Sequence, residues 1–180
     1  MNKSKAIFIL MASLFLFSCG GITETKEESD NTKELSTESY EGMTEINLSE
    51  FGLEATIQIP DESKGKAEIS ETSFGSIQIV VGQNYGIEVV PFGLSIDEKK
   101  EELAGDLVYN IEYLTESPTL LEFKRMIKDS DVEEEYHFFM SKELNGEVYE
   151  IKSISEMSFK KFALKSMVNS AKSLKMKNPA

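Results

Sequence analysis

The sequence is poor in the residues on which several functional classes depend. Its 180 residues include one cysteine, one histidine and no tryptophan. A disulfide scaffold needs pairs of cysteines, and a Cys/His metal centre needs several ligands of these types. The sequence therefore excludes both classes, and we expect neither a metal nor a cofactor.

Positive charge is scarce as well. The chain has 19 Lys and Arg against 32 Asp and Glu, which gives a net charge of −13. Proteins that bind nucleic acids contact the phosphates through basic surface, so we expect no nucleic-acid partner. With 40% hydrophobic residues, the chain is long enough for one domain of ordinary size.

Long apolar runs are absent, but a short one follows Lys3 and Lys5. It extends from Ala6 to Phe17 and is interrupted only by Ser13. At about 12 residues it is too short to cross a hydrocarbon core, which needs about 20. A basic head followed by a short apolar core predicts a secretory signal peptide over residues 1–18.

The end of this segment, Leu16-Phe17-Ser18-Cys19, resembles the lipobox of bacterial lipoproteins. The resemblance implies that Cys19 carries diacylglycerol, becomes the mature N-terminus and is N-acylated. Phe17 is bulkier than the commonest residue at its position. An ordinary cleaved signal, with Cys19 at the boundary by chance, is the alternative. Because two or three acyl chains hold a protein stably, we expect a membrane anchor.

Residues 20–43 lead from this anchor to a folded domain. In Gram-negative lipoproteins an aspartate directly after the lipidated cysteine retains the protein in the inner membrane. This chain has Gly20 at that position, which favours the outer membrane of the cell envelope. The segment that follows is acidic, rich in Ser and Thr, and lacks a sustained apolar period, so we predict a disordered tether over residues 19–43. As a coil of about 24 residues it would span roughly 25–30 Å. Residues 44–180 are predicted to form a single domain.

Alternating apolar side chains predict several strands. One extends from Leu53 to Ile59 and stops at Pro60-Asp61, and a short one covers 67–71. Residues 77–81 and 85–89 flank a Gly-Gln-Asn turn and predict a hairpin.

A helix is predicted next, beginning at Ser95 or Asp97 and ending at Ser117-Pro118. Acidic residues occupy its first turn. Its apolar positions, on broadly compatible helical faces, are Ile96, Leu103, Leu107, Ile111 and Leu114.

The last third of the chain predicts strands and a second helix. Thr119 to Ile127 can be strand or helix, and we favour a strand. Asn145-Gly146 lies between alternating runs at 136–140 and 148–154, which is a strong hairpin signal. A long helix is then predicted from Ser155 or Ser158 to about Lys175.

This order of elements indicates an α+β fold. We predict an antiparallel-rich sheet with one mid-chain helix and one long C-terminal helix packed on it. Over residues 50–175 the order resembles the PsbP-like α/β/α sandwich that small bacterial envelope lipoproteins use. The resemblance supplies no functional residues.

The C-terminal helix has an unusual charge pattern, because no acidic residue follows Glu156. Its apolar arc predicts packing against the core. The lysines beside that arc can favour the C-terminal end of the helix dipole and balance the acidic body. Alternatively they form an interaction face toward anionic lipid, a polyanion or an acidic partner. The residues of this possible basic face are Lys161, Lys165, Lys172 and Lys175.

Other candidate sites have weak signals. The acidic stretch 129–135 resembles a calcium loop in spacing but lacks its glycine and its bidentate glutamate, so we expect a solvated loop. His137 lies on a predicted strand between Tyr136 and Phe138, so we expect a wall or surface residue, and no nucleophile-elbow motif supports a Ser-His-Asp arrangement around it. Ser158 and Lys161 match S-x-x-K, a pattern that arises by chance in a chain rich in serine and lysine. We assign no catalytic residue.

An anchor, a tether and a compact domain without recognisable chemistry favour one functional class. We expect a lipid-anchored, non-enzymatic envelope module that binds a protein partner or a small ligand through its sheet and loops. One alternative is a hydrolase whose carboxylates only the fold brings together. Another is an assembly factor for a larger membrane complex.

Overall fold

A seven-stranded antiparallel sheet forms the centre of the molecule. The computed structural model describes residues 40–177, so the predicted signal peptide, the lipobox with Cys19 and most of the tether lie outside the described residues. Strand order in the large sheet is β3-β4-β5-β9-β8-β7-β6, and a second sheet has the order β1-β2-β10. The strands are β1 (Met43–Asn47), β2 (Ala55–Pro60), β3 (Ala67–Glu71), β4 (Ile77–Val81), β5 (Gly86–Pro91), β6 (Tyr109–Glu116), β7 (Leu120–Ile127), β8 (Glu135–Leu144), β9 (Glu147–Ser153) and β10 (Lys175–Met176).

Two α-helices within residues 40–177, α1 (Ile96–Ala104) and α2 (Lys161–Ser173), pack on the large sheet. Side chains on strand β8 alternate between two cores. Phe138 and Met140 belong to the larger core, which α2 and the small sheet cover. Phe139 belongs to a smaller core with Ile96 of α1. The predicted α+β class, with antiparallel strands and two packed helices, is therefore confirmed.

The hairpin predictions are confirmed in detail. Asn145 and Gly146 have φ angles of 53° and 83°, as a type I′ turn between β8 and β9 requires. The strand at 67–71, the hairpin of β4 and β5 and the favoured strand at 120–127 also form. Short-range alternation and turn residues suffice for these elements, because the partner strand is the next one along the chain.

The mid-chain helix is shorter than predicted, and the prediction was wrong beyond Ala104. Residues 109–116 form strand β6 instead, paired with β7. Asp106 Oδ1 accepts the backbone N–H groups of Val108 and Tyr109 at 2.7 and 2.8 Å, which turns the chain into the strand. Leu107, expected on the buried face of the helix, is 88% exposed.

The C-terminal helix begins later than predicted, at Lys161 rather than at Ser155 or Ser158. The backbone of the preceding segment bonds to the sheet instead. Ile154 N–H donates to the Gly86 carbonyl at 3.2 Å, and the Phe159 carbonyl accepts from Tyr136 N–H at 2.9 Å. These contacts hold the segment in extended and turn conformations until the Phe159 side chain has entered the core.

The small sheet was not predicted beyond β2. Strand β1 begins at Met43, within the predicted tether and one residue before the predicted start of the domain, and pairs with β2. Lys175, predicted to end the helix, lies on β10 opposite Thr56 of β2. No helix within residues 40–177 is long and apolar enough to cross a bilayer.

Candidate functional site

Helix α2 places three of the four predicted lysines on its exposed side. Lys161, Lys165 and Lys172 are exposed, and Phe162 beside them is 70% exposed. We call Lys161, Phe162, Lys165 and Lys172 the α2 ridge. The opposite side of the helix is buried against the sheets, as its apolar arc predicted.

Lys175 is not part of this ridge. Its ammonium group pairs with Glu45 Oε2 at 2.7 Å, on the small sheet. Within residues 40–177, no carboxylate lies within 4 Å of the Lys161 or Lys165 ammonium group. The structure therefore separates the predicted basic face into a helical ridge and one lysine in a local ion pair.

Two grooves flank the ridge. The first, of about 470 Å³, lies between α2 and strands β6 and β7, and among residues 40–177 Glu122 is the one carboxylate that lines it. The second, of about 660 Å³, lies between α2, the start of the small sheet and the β4–β5 turn, and Glu41 is the one carboxylate that the described part of the chain contributes to its lining. Lys165 and Asn169 line both grooves, so they form the crest between them.

Two exposed phenylalanines mark one end of the large sheet, while Leu107, Val108 and Val132 are exposed at its opposite end. Phe74, in the β3–β4 turn, is 93% exposed, and Phe92, directly after β5, is 79% exposed. Val148, at the start of β9, is also exposed. It lies beside Phe92, since the Val148 carbonyl accepts from the N–H group of the next residue, Gly93, at 3.2 Å. We call Phe74, Phe92 and Val148 the distal end. The β4–β5 turn, which lines the second groove, lies at the opposite, proximal end.

The backbone at Phe92 is strained. Its φ angle is 57°, a left-handed conformation that is unfavourable for a bulky residue. The next residue must be glycine, because a Cβ atom on Gly93 would lie 2.1 Å from Glu150 Cβ. Close packing of the chain over Glu150 thus directs the Phe92 ring into solvent.

A polar network braces both turns of the distal end. The buried carboxylate of Glu150 accepts from Leu94 N–H at 3.1 Å and pairs with Lys152 at 2.5 Å. Lys152 also lies 3.8 Å from Glu88, which accepts from Ser76 Oγ in the β3–β4 turn. Burial alone would lower the pKa of Lys152, but these two glutamates outweigh it and raise the pKa.

The only histidine takes part in a second, buried network. His137 is 3% exposed, so of the two expected placements, wall or surface, the surface placement is wrong. Its Nδ1 lies 2.9 Å from Ser153 Oγ, and its Nε2 lies 3.6 Å from Glu135 Oε2. Glu135 in turn pairs with Arg125 at 2.6 Å. Burial would raise the pKa of Glu135, but hydrogen bonds from Ser158 and Arg125 outweigh it and lower the pKa.

This Ser, His and Glu arrangement has the composition of a hydrolytic triad but not its accessibility. Ser153 is buried, and its Oγ accepts from the backbone N–H of Phe138 at 3.2 Å. The imidazole stacks on Phe123 and meets the edge of Phe159. Ser153, His137 and Glu135 line neither the two grooves beside α2 nor the groove at the start of α1. A substrate carbonyl therefore has no path to the hydroxyl, and the network fixes β7, β8 and β9 together.

Carboxylates meet in a third groove, of about 500 Å³, beside the start of α1. Asp97 and Glu116 both line it together with Lys100, which pairs with Glu116 at 2.6 Å. The Glu116 contact also raises the pKa of Lys100. The two carboxylates of this groove are therefore accompanied by a cation that pairs with one of them.

The acidic stretch 129–135 forms the loop between β7 and β8 and the first residue of β8, as predicted. Its glutamates are engaged individually: Glu133 pairs with Lys160, and Glu134 with Lys124 at 3.3 Å. Among residues 40–177, no group of three or more Cys, His, Asp or Glu side chains is arranged to hold a metal ion.

Sequence reasoning missed the two phenylalanines of the distal end. A signal was available, since Phe74 precedes a glycine in a Ser-rich turn and Phe92 lies between Pro91 and Gly93. An aromatic residue within turn sequence is unusual, because turns are exposed.

No protein-family model matches this chain, and no curated protein matches it. We therefore infer function from the residues described above.

Proposed function

We propose that this chain is a lipid-anchored, non-enzymatic module of the bacterial cell envelope that binds a protein partner. The observation that carries this proposal is the pair of exposed phenylalanines, Phe74 and Phe92, at one end of the sheet. Neighbouring strands lie about 4.8 Å apart, so the two turns are roughly 5–10 Å apart along the sheet. Their rings and Val148 supply the apolar centre of a binding surface.

Both rings are held on ordered turns, which favours binding. The Phe74 turn is closed by backbone hydrogen bonds between Thr72 and Ser76 and between Gly75 and Thr72, at 2.8 and 3.0 Å. Glu88 also accepts from Ser76 Oγ of this turn, and Lys152 links Glu88 to Glu150. A preorganised aromatic anchor loses little conformational freedom when a partner covers it, so more of its burial energy contributes to affinity.

The anchor is proposed from the sequence. Cys19 ends a lipobox-like segment, and Gly20 favours the outer membrane. Lipidation holds the domain at the envelope and limits its search for a partner to that compartment. Replacing Cys19 with Ala, or adding the lipoprotein signal-peptidase inhibitor globomycin, is expected to cause precursor accumulation. Unchanged processing and membrane retention would contradict the anchor.

Hydrolysis by carboxylates has less support. Where a carboxyl pKa departs from its ordinary value within residues 40–177, as at Asp106 and Glu135, it is lowered. A general acid needs a raised pKa. The buried triad-like network has no access for a substrate. We therefore favour binding over turnover.

Site-specific photo-cross-linking in intact cells tests the proposed binding surface. A benzophenone amino acid is placed at Phe74 or Phe92, and the matched control is Leu107, which is 88% exposed at the proximal end of the sheet. We expect one near-stoichiometric protein adduct from Phe74 and Phe92 and none from Leu107. Equal labelling of diverse proteins from all three positions would overturn the proposal.

Substitution then measures the contribution of the rings. Phe74→Ser and Phe92→Ser remove exposed side chains, so the fold should remain intact. Each buried aromatic anchor contributes about 2 kcal/mol, which corresponds to roughly a thirtyfold loss of affinity per ring. If deletion of the gene also removed the partner's complex, the module would act in assembly. Unchanged capture by the double variant would place the binding surface elsewhere.

A further inference from the structure

The α2 ridge carries lysines where a helix least favours them. Lys161 is the first residue of α2 and Lys160 is its N-cap, and no acidic residue occupies the first turn. The amino end of a helix carries partial positive charge, so these cations oppose the dipole. The expected stabilisation by the C-terminal end of the dipole applies only to Lys172. The helix dipole therefore does not account for the lysines at the start of the helix.

Two lysines of the ridge, Lys161 and Lys165, also lack a direct ion pair within residues 40–177, although the whole chain carries a net charge of −13. Glu122 and Glu41 line the flanking grooves, and the charge of Lys161 adds to the hydrogen bond from Tyr136 in lowering the pKa of Glu134. Lys160 and Lys175, by contrast, each pair with a glutamate. A local excess of positive charge on an acidic protein is complementary to an anionic surface.

An exposed aromatic ring accompanies these cations. Phe162 follows Lys161 directly, is 70% exposed, and lines the second groove with Pro60 and Val81. Aromatic residues flanked by lysines are typical of surfaces that lie in the headgroup region of a bilayer. A free polyanion or an acidic peptide would use the lysines but would not require the protruding phenyl ring.

The polypeptide enters the domain at this same surface. Residues 41–43 line the second groove together with Phe162 and Lys165. Cys19 precedes them by about 20 residues, which would span roughly 25 Å if they form the tether that the sequence predicts. With such a tether, the proposed lipid anchor would raise the effective concentration of the domain at the bilayer.

We propose that the α2 ridge docks on the anionic phospholipid surface of the membrane that holds Cys19. This inference rests on the lipid anchor proposed above. Phe162 enters the headgroup region, and the ammonium groups of Lys161 and Lys165 contact lipid phosphates. Docking places the proximal end of the sheet toward the membrane and presents Phe74 and Phe92 away from it. The partner surface and the membrane surface are then separate.

Tryptophan fluorescence tests this orientation, because the natural chain contains no tryptophan. Phe162→Trp introduces one fluorophore on the ridge, and the matched control Phe74→Trp introduces one at the distal end. The full processed protein is reconstituted into vesicles of phosphatidylcholine with about one-quarter phosphatidylglycerol, with or without brominated acyl chains. We expect a blue shift and brominated-lipid quenching for F162W and neither for F74W.

Flotation of the same vesicles separates the two proposals. Protein that floats with the vesicles but shows no quenching in F162W would overturn the docking while leaving the anchor intact. Protein that does not float would overturn the anchor and, with it, the docking. Quenching of both variants to the same extent would show that the domain has no fixed orientation, which also overturns the inference.

Charge removal provides a second measurement. In the F162W background, Lys161→Gln with Lys165→Gln should lower the ratio of docked to undocked protein by roughly 25-fold in anionic vesicles, about fivefold for each lysine. Lys175→Gln, which alters an exposed lysine outside the ridge, is the control and should change it little. An unchanged ratio in the double variant would contradict a role for the ridge. The docking would also be overturned if F162W showed no quenching in any vesicle and the double variant lost binding to a soluble acidic protein. The ridge would then bind that class of partner instead.

Discussion

His137 illustrates how burial changes the chemistry of a single side chain. The imidazole is enclosed between Phe123 and Phe159, and its Nε2 has no hydrogen-bond partner. Burial, together with the positive charge of Arg125, lowers its pKa to about 4, and the nearby Glu135 only partly opposes this shift. The folded protein therefore holds a neutral imidazole at pH values where an unfolded chain would protonate it.

The stability of the protein should consequently fall on mild acidification. Between the ordinary pKa of 6.5 and the folded value of about 4, the unfolded state binds one proton more than the folded state. This difference lowers the free energy of unfolding by about 2 kcal/mol from pH 7 to pH 5. Urea denaturation of the processed protein at the two pH values measures the change.

Variants of His137 isolate this contribution, because the chain has no other histidine. His137→Gln and His137→Phe both remove the titrating group, and both should lose most of the difference between pH 7 and pH 5. Their absolute stabilities will differ, since Gln and Phe pack differently against the two rings. A difference of the same size in both variants would show that other groups control the pH dependence.

At the scale of elements, local signals and pairing compete for the same residues. Helix α1 begins with a capping box, in which Ser95 and Glu98 each accept a backbone N–H group of the other. The helix nevertheless stops at Ala104, because Asp106 turns the chain and residues 109–116 pair with β7. The capping box therefore supports a helix of only nine residues.

A short helix depends strongly on its cap. Ser95→Ala removes the side chain that accepts from Glu98 N–H at 3.3 Å and donates to the Glu98 carboxylate at 2.7 Å. We expect a loss of about 1 kcal/mol in the free energy of unfolding. Ser73→Ala is the matched control, since Ser73 is an exposed turn residue at the distal end. Equal effects of the two substitutions in chemical denaturation would contradict the role of the cap.

At the scale of the whole molecule, the amino-terminal part of the α2 ridge, with Phe162 and Lys165, and the distal end lie toward opposite ends of the large sheet, whereas Lys172 lies nearer the distal end. The second groove, beside the ridge, is lined by the β4–β5 turn and by residues 41–43, whereas Phe74 and Phe92 lie beyond the other ends of β4 and β5. Phe162 and Lys165 thus lie toward one end, and the two phenylalanines of the distal end lie toward the other. Such a layout suits a module that joins a membrane to a partner.

Limited proteolysis tests the predicted tether between anchor and domain. Lys26 and Lys33 are the trypsin sites between Cys19 and Tyr40. A disordered tether exposes both sites, so trypsin should release the domain from membranes as a fragment beginning at Glu27 or Glu34. Sites within residues 43–177 should be cut more slowly, because backbone hydrogen bonds of the sheets and helices protect them. Resistance of Lys33 in the native protein would contradict the tether.

The sequence determined the local elements of this protein. Alternation with period 2, the Asn145-Gly146 turn and the apolar arc of α2 act over a few residues, so strands, hairpins and the buried helix face were predicted from the sequence alone. The lipobox-like segment ending at Cys19 likewise depends only on the order of neighbouring residues. The lysines of α2 were identified because their spacing along a helix is fixed.

Features that depend on contacts between residues distant in sequence were decided only by the tertiary structure. Strand β10 formed because β2, about 120 residues earlier in the chain, lay beside the end of α2, whereas the β6–β7 hairpin that replaced the end of the predicted helix is local. The enclosure of His137, the ion pair that separates Lys175 from the ridge, and the exposure of Phe92 all depend on residues distant in sequence. Such contacts form only when the chain closes large loops, and no local pattern records which partners then meet.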